Sequence, residues 1–448
     1  MNEINGIPYS EVKFDKDGHR QNSVTIPADT TDVIVVSHGW NNDQAAAEDL
    51  YTKLFTNFAK VTANDPVISK KKIAIVGVIW PSKRFDELMT QLEGSGKAPA
   101  GAKSLSATDQ AEAQAAMLEA IERAVPLFDD PGDTDRIEKL RALVPQLEED
   151  GDAQEAFVST LRELIDPKNQ HLDERNSEDN SDIFFDGQAR IVFQNSMQNV
   201  PASASGSTDT GREESKDKGA TDQTGGAKSF GASFSKAVNA VVNLMNLSTY
   251  YEMKQRAGTV GKTGIAPLID ELANQVERIH LAGHSFGGRV VSAAAANSTT
   301  NKLFSMSLLQ AAFSQNGFSK KRQGFFRSVI ANHRVTGPIS VTNTKKDLSV
   351  GLAYPAASRI SGDAASAFGD ADDPFGAIGS NGAQQMEPGE IATSATQLSP
   401  VGTTYKWQSG HIHNLKDDRF IVDPQGGDAH GFVFVPEVAW AISRAVAA

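Results

Sequence analysis

Short, continuous apolar runs recur in both halves of the chain, and stretches with helical spacing of apolar residues separate several of them. A run without polar alternation is typical of a parallel strand that is buried on both faces. Runs of this kind that alternate with helices predict an α/β fold built on a mostly parallel, doubly wound sheet. The predicted core strands are residues 33–36, 72–80, 278–282, 306–313, 339–344 and 412–416.

The segment between the strands at 72–80 and 278–282 is far longer than the single helix that a parallel crossover needs. It carries helical stripes of apolar residues over 86–165, and over 203–226 it has almost no apolar residue, which predicts a mobile loop. We expect this insertion to be either a cap or lid over the functional site or a helical appendage for oligomerisation or partner binding. The predicted parts are residues 1–85, the N-terminal part of the core; 86–226, the helical and low-complexity insertion; and 227–448, the C-terminal part of the core.

The sequence Gly283-His284-Ser285-Phe286-Gly287 lies directly after a predicted strand and before a predicted helix. It fits the pattern G-x-S-x-G. A serine at the apex of such a strand–turn–helix sits on a strained turn that exposes its hydroxyl, and the helix directs its positive N-terminal end towards it. Glycine is needed on both sides because a Cβ there would crowd the turn. The pattern predicts that Ser285 is a nucleophile.

A second motif, His38-Gly39, follows the strand at 33–36. The combination of an HG turn after one strand with GHSFGG after a later strand resembles the α/β-hydrolase superfamily, and within it bacterial lipases and esterases. The resemblance covers roughly residues 31–80 and 277–448 and leaves the insertion outside it. It implies an α/β-hydrolase fold to which a large helical insertion has been added.

The resemblance also implies an oxyanion hole beside Ser285. In this superfamily two backbone N–H groups stabilise the charge that develops on the carbonyl oxygen. Here they would belong to Phe286 and to Trp40, with Asn41 as the second choice for the latter. Weaker candidates for contact with the substrate are Asn41, His284 and Tyr250, of which Tyr250 is better explained as a half-buried core residue.

The family's chain order of serine, acid and histidine implies the other two catalytic residues. Asp347 follows the strand at 339–344, at the end of the strand where open α/β sheets build their sites. His430 lies in a polar, glycine-rich loop before the last predicted helix. The rival acids are Asp417, Asp423 and Asp428, and the weaker histidines are His411 and His413, whereas His280 and His333 come too early in this order.

These residues imply metal-free and cofactor-free hydrolysis of a carboxylic ester through an acyl-enzyme. A lipid or another acyl ester is the leading substrate class, and a lipase-type effector exported against other cells is a subordinate hypothesis. Thioester or amide hydrolysis would use the same triad and stays open. A hypothesis of a different class is a non-catalytic binding or scaffold protein on a hydrolase fold, with the acidic insertion as its working surface.

Composition restricts which binding partners and which cellular compartment we expect for the protein. The net charge of −13 and the sequence pI of about 5.2 disfavour nucleic acid as a partner. The absence of cysteine excludes disulfides and thiolate metal sites. Neither a secretory signal nor an apolar run of about 20 residues is visible, so we expect a soluble cytoplasmic protein without a transmembrane segment. Export by a signal-independent route is the alternative, and the sequence does not indicate an oligomeric state.

The sequence gives little support for a metal site. His38, His411 and His413 lack the spacing of an H-E-x-x-H motif, so we expect no metal at the candidate site. The acidic loop at 370–373 leaves a structural calcium ion open.

Overall fold

One mixed sheet organises the fold. The computed structural model describes residues 2–40, 42–82, 107–166, 181–197, 227–350 and 376–448. The strands within these ranges are β1 (Asn2–Ile4), β2 (Ile7–Lys13), β3 (Asp32–Ser37), β4 (Ile73–Ile79), β5 (Arg278–His284), β6 (Leu303–Leu309), β7 (Ile339–Asn343) and β8 (Ile412–Lys416). They form one sheet in the order β1-β2-β4-β3-β5-β6-β7-β8. β1 runs antiparallel to β2, and the pairings between the other neighbouring strands are parallel.

Helices cover both faces of this sheet. Those within the described ranges are α1 (Gln44–Thr62), α2 (Ala107–Ala124), α3 (Asp133–Leu143), α4 (Gly151–Ile165), α5 (Ser181–Asp186), α6 (Ala189–Ser196), α7 (Ala227–Thr259), α8 (Ala266–Leu272), α9 (Phe286–Asn297), α10 (Arg327–Ala331), α11 (Ile378–Asn381) and α12 (Pro436–Ala447). Ile34 and Val36 of β3 pack with α1 and α12, whereas Val33 and Val35 pack with α7 and α9. Alternate residues of one strand therefore face opposite layers, which explains the continuous apolar runs. The prediction of an α/β fold with a mostly parallel sheet is confirmed.

The end of β6 differs from its prediction. The strand ends at Leu309, whereas the apolar pattern predicted a strand over 306–313. Gln310 has φ 45°, a left-handed backbone conformation that turns the chain out of the sheet. Residues 311–313 stay buried beyond this turn, so the apolar run continues although the strand does not. The pattern of buried residues alone therefore does not show where β6 ends.

The chain changes direction across the sheet between β3 and β5. β3 leads through α1 to β4 on one side, and β5 leads through α9 to β6 on the other. Because α1 and α9 cover opposite faces, the chain diverges at the carboxyl ends of β3 and β5, which is where open α/β sheets commonly bind their ligands. The register pairs Ser37 with Gly283, so the loops that follow both strands start side by side.

The described helices of the insertion pack on the face of the sheet that α9 covers. α2 and α6 contact the long helix α7, which in turn contacts α9. Apolar residues of α2, α4 and α6 belong to the same hydrophobic cluster as this face of the sheet. The three-part division and the choice between lid and appendage remain predictions, and the loops predicted at 203–226 and 370–373 lie outside the described residues. No described helix combines the length and the apolar character that a membrane crossing requires.

A buried charge cluster joins β3, β5 and β6 at the start of these strands. Asp32 Oδ1 accepts from Lys71 Nζ at 2.7 Å and from His280 Nε2 at 3.1 Å, and its Oδ2 accepts from the Thr31 hydroxyl at 2.6 Å. The other ring nitrogen of His280 lies 2.8 Å from the Ser305 hydroxyl. Burial alone would raise the pKa of Asp32, but hydrogen bonds from His280, Lys71 and Thr31 hold it well below its ordinary value. The carboxylate is therefore charged in the folded protein.

We predict that Asp32→Asn lowers the free energy of unfolding by about 3 kcal/mol at pH 7, because it leaves the Lys71 charge without its buried partner. A carboxyl with a depressed folded pKa contributes stability above its unfolded pKa of about 3.9, and this stability is lost as the pH falls through the folded value. The difference in the free energy of unfolding between wild type and variant should therefore become smaller in acid. Urea unfolding at several pH values measures it.

Asp49→Asn is the matched control. Asp49 pairs with Lys53 on the surface of α1, where their side chains are 59% and 49% exposed. Its loss should cost less than about 1 kcal/mol. Equal destabilisation by the two variants would contradict the importance of the buried cluster.

Candidate active site

Ser285 occupies the turn between β5 and α9. Its backbone has φ 55° and ψ −126°, a strained conformation for an L residue. The Ser285 N–H donates to the Leu309 carbonyl at 3.0 Å, which fixes the turn to β6. A Cβ on Gly283 would lie 2.3 Å from the Gly287 carbonyl oxygen, and a Cβ on Gly287 would lie 2.2 Å from that of Ser37. These backbone contacts explain why both positions hold glycine.

The loop after β3 reaches the same serine. A Cβ on Gly39 would lie 2.5 Å from Ser285 Cβ and 3.0 Å from its Oγ, so the HG turn borders the hydroxyl. Phe286 is the first residue of α9, where N–H groups have no acceptor within the helix. The Trp40 ring meets the Phe286 ring edge-on at 5.8 Å, which places the two predicted oxyanion donors on neighbouring segments. Asn41 lies outside the described residues.

His38 shapes this loop and is fully buried. The His38 N–H donates to the Tyr51 hydroxyl at 2.7 Å, and the ring stacks on Trp80 at 5.6 Å. His38 Nε2 accepts from the backbone N–H of Trp80 at 3.3 Å, so the ring proton is on Nδ1. Nδ1 lies 2.9 Å from the Gly39 carbonyl oxygen. Burial lowers the pKa of His38 to about 4. His38 is therefore a neutral residue that fixes the HG turn.

Asp347 and His430 meet at the carboxyl end of the sheet. Asp347 follows β7 and is fully buried, and the side chain of His430, from the loop before α12, is 19% exposed. His430 Nδ1 donates to Asp347 Oδ2 at 2.8 Å, and Asp347 Oδ1 accepts from the Val350 N–H at 3.0 Å. Because a carboxylate can only accept, the imidazole proton is on Nδ1 and Nε2 keeps its lone pair. This is the tautomer that a general base requires.

His284 links His430 to the serine turn. Its ring lies 4.8 Å from the His430 ring, and its Nε2 donates to the His430 carbonyl oxygen at 2.9 Å. Burial lowers the pKa of His284 to about 3, and the neighbouring His430 contributes to that shift. Because His284 directly precedes Ser285, these contacts place His430 beside the Ser285 turn.

Asp428, a rival acid from the sequence, instead joins the two loops that carry Asp347 and His430. Its Oδ1 accepts from the N–H groups of Leu348 at 2.8 Å and His430 at 3.0 Å, and its Oδ2 accepts from the Ser349 hydroxyl. Burial alone would lower the pKa of His430, but the charge and hydrogen bond of Asp347 and the charge of Asp428 raise it above its ordinary value. His430 is thereby a stronger base than an ordinary histidine.

The other rival residues bind within their own loops. Asp417 and Asp423 each accept from backbone N–H groups of the residues that follow them. His413 is buried against backbone groups around β8, and His411 contacts the Ser409 carbonyl oxygen. None of these contacts involves Asp347 or Ser285.

A series of aromatic contacts runs from the serine turn into the insertion. Tyr250 of α7 is buried, and its ring lies 5.7 Å from that of Phe286. Tyr251 contacts Tyr250 at 5.5 Å and stacks on Phe184 of α5 at 5.5 Å. The insertion is thus connected to Phe286, the residue that follows Ser285, through Tyr251 and Tyr250 of α7.

A candidate cation group lies on the turn after β2. Asp15, Asp17 and His19 place ligand atoms within 4.8 Å of one another. Asp15 Oδ1 already accepts from the N–H groups of Asp17 at 3.0 Å and His19 at 2.8 Å, which identifies it as a turn-forming residue. Among the described residues, no comparable group of His, Asp and Glu side chains includes a member of the candidate triad.

Sequence reasoning missed Gln310. Its side-chain amide donates to Asp347 Oδ2 at 3.1 Å, on the same oxygen that binds His430. The available signal was a polar residue near the end of an apolar strand, which is the signal that pointed to Asp347. The predicted extension of that strand to 313 concealed it.

Comparisons with protein-family models, with curated proteins and with solved structures find no match to this chain. The geometry and chemistry of the described residues therefore carry what can be inferred about function.

We predict that Asp428→Asn lowers the pKa of His430, because it removes one of the two negative charges that raise this pKa. The asparagine retains an acceptor oxygen for the loop's N–H groups, so the fold should persist. NMR titration of the imidazole signals, assigned with a His430→Gln variant, measures the shift.

Asp423→Asn is the matched control, because Asp423 also caps backbone N–H groups in this region but is not among the charges that raise the His430 pKa. An unchanged His430 pKa in Asp428→Asn, or an equal shift in the control, would contradict the assigned role of Asp428.

Proposed function

We propose that this protein is a serine hydrolase of the α/β-hydrolase type that cleaves carboxylic esters through Ser285, His430 and Asp347. The observation that carries the proposal is the 2.8 Å hydrogen bond from His430 Nδ1 to buried Asp347. It lies at the end of the sheet that also holds the strained Ser285 turn, and it leaves Nε2 of His430 with the lone pair needed to accept the serine proton.

The proposed reaction begins when Ser285 Oγ attacks the ester carbonyl carbon and His430 Nε2 accepts the hydroxyl proton. The N–H groups of Phe286 and Trp40 stabilise the resulting oxyanion, and each such donor is worth about 3 kcal/mol. His430 then gives its proton to the departing alkoxide, which leaves an acyl-serine. Water, deprotonated by His430, then attacks the acyl carbonyl carbon. The bond to Ser285 Oγ breaks, His430 returns the proton to Oγ, and the carboxylic acid leaves. Asp347 stabilises the transient imidazolium. It also holds the neutral imidazole of His430 in the tautomer that has its proton on Nδ1.

The surroundings favour an apolar acyl group, from a lipid or another acyl ester. The aromatic series from Trp40 through Phe286 to Tyr250 borders the serine turn, and Tyr251 extends it to the insertion. Thioesters and amides remain alternatives because the same triad would act on them.

The insertion, in this proposal, is a cap that helps to select the substrate. Arg256 of α7 donates to the Pro81 carbonyl at 3.1 Å and to the Leu127 carbonyl at 3.3 Å. It therefore holds the segment after β4 against the insertion. The aromatic contact between Tyr251 and α5 has the same effect. Both contacts favour a cap over an appendage that packs elsewhere.

A non-catalytic binding protein on this fold is the competing hypothesis. Such a protein would have no need of a strained serine, of a buried acid bonded to a basic histidine, or of a tautomer suited to proton transfer. The energetic cost of these features favours catalysis.

We predict that the protein hydrolyses p-nitrophenyl esters and that Ser285→Ala abolishes turnover, with a loss of at least about 10³-fold. Assays over graded acyl lengths identify the preferred substrate. Catalysis requires neutral His430, whose pKa is raised, so kcat/KM should fall as the pH drops through a value above the ordinary histidine pKa of about 6.5.

Ser292→Ala is the matched control. Ser292, like Ser285, is buried, but it lies within α9 and should tolerate the change. Inactivity of the native protein towards esters, thioesters, amides and bilayer lipids would overturn the proposal in favour of binding.

A further inference from the structure

We propose that Gln310 is a positioning residue that holds the Asp347 carboxylate in the orientation His430 requires. The inference rests on the proposed function, because orienting Asp347 matters for turnover only if Asp347 belongs to a catalytic triad. Gln310 is fully buried at the end of β6, and its Nε2 donates to Asp347 Oδ2 at 3.1 Å. The same carboxylate oxygen accepts from His430 Nδ1 at 2.8 Å.

The orientation of the Gln310 amide is determined by its surroundings. Nε2 also donates to the Gly379 carbonyl oxygen at 3.2 Å. The reversed amide would place Oε1 against two acceptors, the Asp347 carboxylate and this carbonyl, and would be repelled by both. The amide therefore presents its N–H groups to the triad acid.

Gln310 carries two local costs. Its backbone adopts φ 45°, which is unfavourable for a residue with a Cβ. Its Oε1 is buried and has no hydrogen-bond partner among the described residues. Features of this kind concentrate at functional sites, where surrounding structure enforces them.

The backbone of Gln310 is fixed on two sides. Its N–H donates to the Thr342 hydroxyl of β7 at 3.1 Å, so Gln310 is tied to the strand that precedes Asp347. A Cβ on Gly379 would lie 2.5 Å from the Gln310 carbonyl carbon, so this segment also packs directly against it. The amide thus approaches Asp347 from a rigid support.

The two oxygens of the Asp347 carboxylate accept from different donors. Oδ1 accepts from the Val350 N–H, and Oδ2 is shared by Gln310 and His430. Without the amide, Oδ2 would direct more of its negative charge at His430 and would be less constrained in position. We therefore expect loss of Gln310 to raise the His430 pKa and to reduce turnover.

Two substitutions with opposite pH signatures test the inference. Gln310→Met removes the donor at nearly constant volume, so kcat should fall about 10–100-fold with little change in KM, and the deficit relative to wild type should be larger in acid. In Gln310→Glu the protonated carboxyl can still donate to Asp347, whereas its ionised form repels it. Its activity relative to wild type should therefore fall as the pH rises.

The measurements are pH profiles of p-nitrophenyl ester hydrolysis and NMR titration of His430, the second of which requires no turnover. Gln154→Met is the matched control, since Gln154 is a buried glutamine of α4 whose Nε2 donates to the Leu147 carbonyl oxygen at 2.8 Å. It should leave both the pH profile and the His430 pKa unchanged.

Folded Gln310→Met or Gln310→Glu protein with a wild-type His430 pKa and pH profile would overturn the inference, and either variant suffices if the other does not fold. Inactive wild-type protein whose His430 pKa still responds to Gln310→Met would instead reject the proposed function and retain the contact between Gln310 and the acid.

Discussion

The close approach of two loops, one after β3 and one after β5, is the constraint on which the candidate site depends. Parallel pairing sets Ser37 beside Gly283, and α1 and α9 then leave towards opposite faces of the sheet. Glycine at Gly39 and Gly287 allows backbone contacts that a Cβ would prevent. The serine hydroxyl is thus presented among fixed backbone groups, and such preorganised dipoles stabilise developing charge without reorganisation.

Histidines in one small region acquire opposite properties from their partners. Burial keeps His38 and His284 neutral, since neither faces a carboxylate, and both serve to hold loops. His430 faces Asp347 and has Asp428 nearby, so its pKa is raised despite burial. Burial alone therefore does not distinguish a base from a structural residue, whereas the partner does. This contrast favours His430 as the proton-accepting histidine of the site, whereas neutral His284 contacts it and neutral His38 holds the loop after β3.

The sequence predicted the sheet because strands buried on both faces leave continuous apolar runs, and it pointed to Ser285 because an elbow needs glycines at fixed spacing. It ranked Asp347 above Asp428 by strand position but could not show that Asp428 ties two loops together through backbone N–H groups. The role proposed for Gln310 depends on a contact with Asp347, which follows the next strand, and local pattern carries no information about such pairs. The packing of the insertion on the α9 face was inaccessible for the same reason.

The proposed activity depends on the activation of Ser285 by His430 and Asp347 for covalent catalysis. Reaction with a fluorophosphonate, followed by mass spectrometry of the digested protein, tests it most directly because it requires no knowledge of the substrate. We expect one phosphonyl group on the peptide that contains Ser285, and none in a folded His430→Ala variant over the same time. An adduct on another serine, no adduct, or equal labelling of the variant would contradict it.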